Sequence, residues 1–174
     1  TVDDGSCAYH EAAGTAQHVG YVAPGCVVHA GDQSGATQAG GRFRFRADPS
    51  TALASHAGAC ADEYLNQTVL VPLRGSASAA QLTPLTTVRA ALISRHGLSG
   101  AEATAATLAA LAPNTSTAVD LERYDTMRQL LLGSEDAARV VAGQRAVGRA
   151  AAVGAAQAGL DAEDVISGIA DAAA

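Results

Sequence analysis

The sequence predicts an α+β fold in which a small antiparallel β-sandwich is followed by an alanine-rich helical subdomain. The chain changes character near residue 82: glycine, proline and short β-prone runs alternate before this point, and capped helical patterns follow it. We expect a short cysteine-bearing tail at 1–15, the sandwich at 16–81 and the helical subdomain at 82–174. The 174 residues, of which 42 are alanine, fit one domain or two small ones that share a core.

The strands are predicted from short apolar runs separated by turn residues. The run 42–46 alternates arginine and phenylalanine strictly, which is the two-residue period of a half-buried strand. Further strands are predicted at 18–22, 26–30 and 69–73, and Pro72 favours an edge position for the last of them. Several short strands at this spacing indicate an antiparallel sandwich.

The helices are predicted from their capping residues and from the glycine or proline that ends them. Thr83 precedes a first-turn proline, and Ser99 with Glu102 forms a capping box. The many small residues of the fourth helix indicate either a closely packed partner surface or simple codon bias. Five helices are predicted, with N-caps at Thr83, Ser99, Asp120, Ser134 and Asp161.

Composition excludes several classes of function. The formal net charge is −6, all 11 basic residues are arginine, and aromatic residues make up 3% of the chain. This balance argues against a nucleic-acid-binding surface, and the absence of lysine excludes Schiff-base and P-loop lysine mechanisms. No apolar run approaches the ~20 residues that a membrane-spanning helix needs, so no membrane insertion is expected.

Cysteines and sequons favour an extracellular or cell-surface location. Cys7, Cys26 and Cys60 are widely spaced and form no CxxC pair, so one pair would form a disulfide, with Cys7 as the natural odd thiol. The triplets that begin at Asn66 and Asn114 are N-glycosylation acceptors in predicted loops or strand ends. The alternative is a cytosolic domain with three buried free thiols.

No residue pattern predicts an enzyme. The five histidines show no HExxH pair, and no GxSxG elbow places a serine nucleophile. No metal site or cofactor is expected, with Asp3 and Asp4 as the weak candidates for Ca²⁺, because two adjacent carboxylates fall short of the six or more oxygens that this ion takes.

The arginines of the run 42–46 lie on one face of the predicted strand. Arg42, Arg44 and Arg46 form either a solvated edge that resists aggregation or an interaction stripe for an acidic partner. The partner would be a neighbouring copy or an anionic glycan, and head-to-tail contacts of this kind propagate filaments.

Several segments resemble modules of large secreted proteins. Gly-Tyr-Val at 20–22, Gly-Cys-Val-Val at 25–28 and the glycine–phenylalanine pattern at 40–45 resemble a carboxypeptidase-regulatory or prealbumin-like β-sandwich. Leu-Thr-Pro-Leu-Thr-Thr at 82–87, with the alanine-rich tail, is similar to a repeat module of green-algal cell-surface or mastigoneme-type proteins and bacterial adhesin-like proteins. Residues 1–7 resemble the end of a cysteine-rich repeat.

The resemblance implies an immunoglobulin-like or prealbumin-like sandwich in which Cys26 pairs with Cys60. It also implies that Cys7 pairs with a cysteine upstream or in another chain. The expected function is that of a non-enzymatic structural module of a large secreted glycoprotein in an extracellular fibre, wall or flagellar surface assembly. Its expected partners are neighbouring modules or copies and N-linked glycans, and the alternative is an adhesin-type module that recognises a surface glycan or protein.

Overall fold

The computed structural model describes residues 9–174, and in this range the chain is a mixture of short strands and helices, as the predicted α+β class requires. The strands are β1 (His10–Ala16), β2 (Val27–Ala30), β3 (Gln33–Ala36), β4 (Arg42–Ala47), β5 (Leu53–Ser55), β6 (Cys60–Asp62), β7 (Gln67–Val69), β8 (Arg74–Gly75) and β9 (Gln81–Leu82). The helices are α1 (Pro84–His96), α2 (Gly100–Leu111), α3 (Thr126–Leu131), α4 (Glu135–Val153) and α5 (Ala162–Ala173).

The strands form three small sheets around one core. Their orders are β4–β1–β9, β3–β2–β5–β8 and β6–β7, and every pairing is antiparallel except the parallel contact of β1 with β9. A bridge from Arg74 to Thr83 links β8 to the residue after β9. At the other side, a Cβ built on Gly35 of β3 would lie 3.1 Å from the carbonyl oxygen of Arg44 on β4. The first two sheets therefore approach each other at both edges.

Strand β4 confirms the predicted alternation. Phe43 is buried and Phe45 packs against the same core, whereas Arg42, Arg44 and Arg46 are exposed. The strand pairs with β1 over its whole length, so its inner face covers the small alanines of β1. An alternating sequence is sufficient to specify this strand because one face is buried and the other is exposed to solvent.

The first part of the β-region differs from the sequence prediction in two places. The central strand β1 lies mostly in the segment expected to be a tail. Thr15 is its one β-branched residue, and Gly14 is required where the backbone of Ala80 packs directly on the strand. The predicted strand 18–22 is a bend at 18–20 followed by isolated bridges at Tyr21 and Val22, since the N–H groups of Val19 and Gly20 bind the Asp62 carboxylate rather than a neighbouring strand.

The strand predicted at 69–73 is shorter than expected. Strand β7 ends at Val69, and the chain then bends through Pro72 before β8 begins. Proline lacks the N–H that a continued ladder would need. Val69 packs in the β-core, whereas Val71 belongs to the core of the helical half, so this bend directs successive side chains into two different cores.

Helix starts agree with four of the five predicted caps. Thr83 accepts a hydrogen bond from Thr86 N at 3.1 Å, and the Thr86 hydroxyl accepts one from Thr83 N at 2.8 Å. The prediction at Asp120 is wrong: residues 120–123 form turns, and α3 begins after Asp125, whose carboxylate accepts from Arg128 N. The long fourth helix ends at Val153 and continues as a wide π-type turn at 154–158.

The helices form a second core beside the β-core. Helix α1 is central to it and contacts α2, α4 and α5, and it also touches β8 and β9. Close approach depends on glycine where α4 crosses the end of α2: a Cβ on Gly143 would lie 2.6 Å from the carbonyl oxygen of Leu111. Leu85 and Leu92 of α1 are fully buried here.

Candidate functional site

The expected disulfide between Cys26 and Cys60 is present and buried. The two Cα atoms lie 5.0 Å apart, and the residues are only 3% and 5% exposed. Thr37 fixes the approach to Cys26, because its hydroxyl accepts from Cys26 N at 3.0 Å and donates to the carbonyl oxygen of Ala23 at 2.7 Å. The bond joins the start of β2 to β6, and so ties the two-stranded sheet to the four-stranded one. Cys7 lies outside the described residues.

Both sequon asparagines are exposed and occupy left-handed backbone positions. Asn66 has φ 52° in the turn between β6 and β7, and Asn114 has φ 66° in the loop after α2. Asparagine is one of the few residues with a side chain that adopt this conformation readily. The side chain amides are therefore reachable from solvent, as an acceptor site requires, although the same geometry also explains these asparagines as turn residues.

The arginine face lies apart from the disulfide in the topology. Arg42, Arg44 and Arg46 are on β4 of the three-stranded sheet, whereas Cys60 is on the two-stranded sheet. Arg44 Nε lies 3.5 Å from Oε1 of Glu11 on the neighbouring strand β1, and both side chains are mostly exposed. Exposed pairs of this kind contribute little to stability. The face is therefore accessible to a partner.

The most strongly bonded carboxylate of the described chain is Asp62, which sequence reasoning missed. Its side chain is fully buried at the end of β6. Its two oxygens accept five hydrogen bonds of 2.8–3.0 Å, from His18 Nδ1 and from the backbone N–H groups of Val19, Gly20, Tyr64 and Leu65. Burial alone would raise the pKa of Asp62, but hydrogen bonds from His18 and from these backbone groups outweigh it and hold the pKa well below the usual range.

The charge on Asp62 decides the tautomer of His18. An ionised carboxylate only accepts hydrogen bonds, so His18 Nδ1 must carry the proton that it shares with Asp62. The other ring nitrogen, Nε2, faces the backbone of α4 at Gly148, where a Cβ would overlap it. The β-half thus presents a fixed imidazole to the helical half.

A second buried polar cluster is centred on Glu122. Its carboxylate accepts from Ser76 N at 2.8 Å, from the Ser76 hydroxyl at 2.6 Å and from Arg89 Nη1 at 2.9 Å. The Arg89 and Glu122 side chains are 13% and 11% exposed, so this ion pair is largely removed from water. Breaking such a pair leaves an uncompensated charge, which costs several kcal/mol. The hydrogen bonds of this cluster connect the segment before β9 to the loop before α3.

A cavity of about 590 Å³ lies against α2. It is bounded by Arg89, by one face of α2 and by the loop 112–120, and its lining includes small apolar side chains and the Thr104 hydroxyl. The sequon residue Asn114 is part of its wall. A volume of this size is within the range of small-molecule sites.

The other four histidines of residues 9–174 each contact groups elsewhere in this part of the chain. His10 bonds the carbonyl oxygens of Ala47 and Ala77, and His96 lies 2.9 Å from Asp171. His29 and His56 stack with ring centroids 4.6 Å apart; burial, then the neighbouring His56 and Arg74, lower the pKa of His29.

No metal cluster is present in the described part of the chain. Three or more histidine, cysteine or acidic side chains do not meet at any point between residues 9 and 174. The calcium candidates Asp3 and Asp4 lie outside this range.

Comparison with known proteins adds no relative. No protein-family model matches the chain, and neither a curated protein nor a solved structure matches it significantly. Among residues 9–174, no helix has the length and apolar character needed to cross a bilayer.

Proposed function

We propose that this chain is a non-enzymatic structural module of a large secreted glycoprotein that builds an extracellular fibre, wall or flagellar surface assembly. The observation that carries the proposal is the buried Cys26–Cys60 disulfide. Structural disulfides persist in oxidising compartments and are rare in the cytosol. The β-half would be a sandwich of the immunoglobulin-like or prealbumin-like kind, and Cys7 would link it to the preceding part of its chain or to another chain.

The exposed asparagines and arginines support the same proposal. Asn66 and Asn114 lie at loop positions that an oligosaccharide transferase can reach, and glycans there would shield the surface. Arg42, Arg44 and Arg46 present positive charge on a chain whose net charge is negative. Such a face suits an acidic surface on a neighbouring module or copy, which is the asymmetric contact that a fibre needs.

The alternative is an adhesin-type binding module, and the cavity against α2 is the observation that favours it. Its volume of about 590 Å³ would admit a small sugar or a peptide side chain. The two proposals conflict at one residue, because Asn114 lines this cavity and a glycan attached there would stand at its rim. A glycan on Asn114 therefore favours the structural function, and an unglycosylated Asn114 leaves the cavity open.

Peptide mapping of the native, unreduced protein tests the proposal. Trypsin releases 47–74, which carries Cys60 and Asn66, and 96–123, which carries Asn114, while Cys7 and Cys26 share the peptide 1–42. A second cut after Glu11 separates these two cysteines, so the Cys26–Cys60 bond is assigned without ambiguity. We expect hexosamine on both asparagine peptides and the 26–60 cross-link.

The control variants remove the acceptor sequons and keep both asparagines. Thr68→Ala and Ser116→Ala abolish the two motifs but keep Asn66 and Asn114, whose left-handed conformations a replacement side chain would strain. Each variant should lose the glycan mass of its own peptide only. Bare asparagines together with three free thiols in native material would overturn the extracellular function.

A further inference from the structure

The ring of His10 lies between two backbone carbonyl oxygens at the start of β1. Its Nδ1 lies 3.1 Å from the carbonyl oxygen of Ala47, which is the cross-strand partner of His10 on β4. Its Nε2 lies 3.0 Å from the carbonyl oxygen of Ala77. Ala77 belongs to the segment 76–79 between β8 and β9, the β8–β9 turn. The two partners are 37 and 67 residues from His10 in sequence, so one ring joins three separate segments.

Both partners of the ring accept hydrogen bonds and neither can donate one. A carbonyl oxygen carries no proton, so each contact is a hydrogen bond only when the ring nitrogen carries the hydrogen. A neutral imidazole has one N–H and an imidazolium has two. Among residues 9–174, His10 is the only histidine with an acceptor at each ring nitrogen. The geometry is therefore complete for the protonated ring, whereas in the neutral ring one lone pair faces a carbonyl oxygen.

Asp48 is the charged group on the side of β4 that faces the ring. Hydrogen bonds from Ser50, followed by the positive charge of His10, hold the pKa of the Asp48 carboxyl below its ordinary value. The β8–β9 turn consists of serine and alanine and adds no charged side chain. Glu11 and Arg46, the next pair of the ladder, project from the opposite face of the sheet because successive strand residues alternate. The described elements that pack on the ring therefore place an anion near it and no cation.

We propose that His10 is a pH-sensitive latch, which fixes the β8–β9 turn to the end of the β1–β4 ladder while its ring is protonated. A histidine ring loses its second proton between about pH 5 and 8. The bond to Ala77 then opens and the bond to Ala47 stays. Ala47 is fully buried, so its carbonyl group has no access to water, whereas Ala77 is partly exposed and its carbonyl oxygen can accept from water instead.

The opening is confined to the β8–β9 turn. Thr15 N donates to the carbonyl oxygen of Ala80 at 2.9 Å, so the chain after the turn stays on β1. On the helical side, Ser76 N and the Ser76 hydroxyl donate to Glu122 at 2.8 and 2.6 Å, whether or not the His10 ring is protonated. A rise in pH would therefore release the turn from the first sheet and leave it attached to the helical half. This latch would operate whether or not the chain is a structural module.

NMR spectroscopy of the intact chain tests the latch with two readouts. Long-range ¹H–¹⁵N spectra report which nitrogen of the His10 ring carries hydrogen at each pH. Amide exchange gives the protection factor of the buried Ala79 N–H, which donates to the carbonyl oxygen of Ser76 at 3.1 Å within the turn. We expect this protection to fall at least about tenfold as the ring loses its proton, because a hydrogen bond to a charged group contributes at least about one order of magnitude. The neutral ring should keep its hydrogen on Nδ1.

His10→Gln and His56→Gln form a matched pair of variants, because each removes one titrating ring. His56 stacks on His29, and its ring makes no contact with the β8–β9 turn among the described interactions. Protection of Ala79 should be independent of pH between 5 and 8 in His10→Gln and should keep its tenfold change in His56→Gln. A protection factor in the unchanged chain that stays constant while the His10 ring titrates would overturn the latch, and this result needs no variant. A pH-dependent change that persists in His10→Gln would overturn it as well, and a neutral ring with its hydrogen on Nε2 would overturn the assignment of the opened bond to Ala77.

Discussion

Replacing Asp62 by asparagine tests whether the buried carboxylate holds the β-half together. The asparagine side chain has the same shape, but its –NH₂ must face one of the two groups of donors that now bond the carboxylate. The less costly orientation turns the –NH₂ toward the N–H groups of Tyr64 and Leu65, which are then left without an acceptor. At about 1–3 kcal/mol for each such donor, the free energy of unfolding should fall by about 2–6 kcal/mol.

The matched control is Asp32→Asn. Asp32 lies in the exposed turn between β2 and β3, so its replacement removes the same charge without removing buried hydrogen bonds. Both variants are compared with the unchanged chain by urea denaturation at constant pH, which gives the midpoint and the free energy of unfolding. A difference between the two variants smaller than about 1 kcal/mol would contradict the proposed role of Asp62, since removal of one buried unpaired donor already costs that much.

The pH dependence gives an independent check of the same carboxylate. Its pKa is lower in the folded chain than in the unfolded chain, so its contribution to stability is complete above the unfolded value of about 3.9 and is lost as the pH falls toward the folded pKa. The stability gap between the unchanged chain and Asp62→Asn should therefore be constant from pH 7 to about 5 and shrink below about pH 4. A gap that stays constant down to pH 2.5 would refute the assignment of the effect to ionised Asp62.

Two more predictions concern the disulfide and the helix contacts. The double variant Cys26→Ala/Cys60→Ala should lose about 4 kcal/mol of stability, as a closed loop with a sequence separation of 34 predicts. The unchanged chain under reductant should lose a similar amount. Equal urea midpoints with and without reductant would refute this prediction. Gly143→Ala should destabilise the chain, since its Cβ would meet the carbonyl oxygen of Leu111 at 2.6 Å. Gly168→Ala on α5 meets nothing within 4 Å and should stabilise the chain by about 1 kcal/mol in thermal unfolding. A gain in stability in both variants would show that α4 can move away from Leu111.

The features predicted correctly from the sequence are those specified by neighbouring residues. The arginine–phenylalanine alternation predicts β4, and the Thr83 and Ser99 caps predict the starts of α1 and α2, because these patterns act within four residues. Strand β1 was not predicted because most of its residues have low β-propensity, and the contact that requires Gly14 is made by the backbone of Ala80, more than sixty residues away along the chain. Propensity cannot report such a contact.

The candidate site was predicted only in part for the same reason. The pairing of Cys26 with Cys60 was expected from the resemblance to secreted modules, and the sequons and the arginine face were visible as motifs. The Asp62–His18 contact spans 44 residues and has no local signature. The one available signal was the pattern Asp62-x-Tyr64-Leu65, in which an aspartate bonds the N–H groups two and three residues later, as in an Asx turn.

Long-range polar contacts also decide how the two halves behave as a unit. Glu122 and Asp125, from the helical half, bond Ser76 and the buried Gln17 of the β-half at 2.6–2.8 Å. A chain cut at the change of character near residue 82 would exchange these hydrogen bonds for bonds to water, so each half would lose the fixed partners that the other supplies. The boundary at 82 therefore separates two kinds of secondary structure that are joined by hydrogen bonds between side chains of one half and groups of the other.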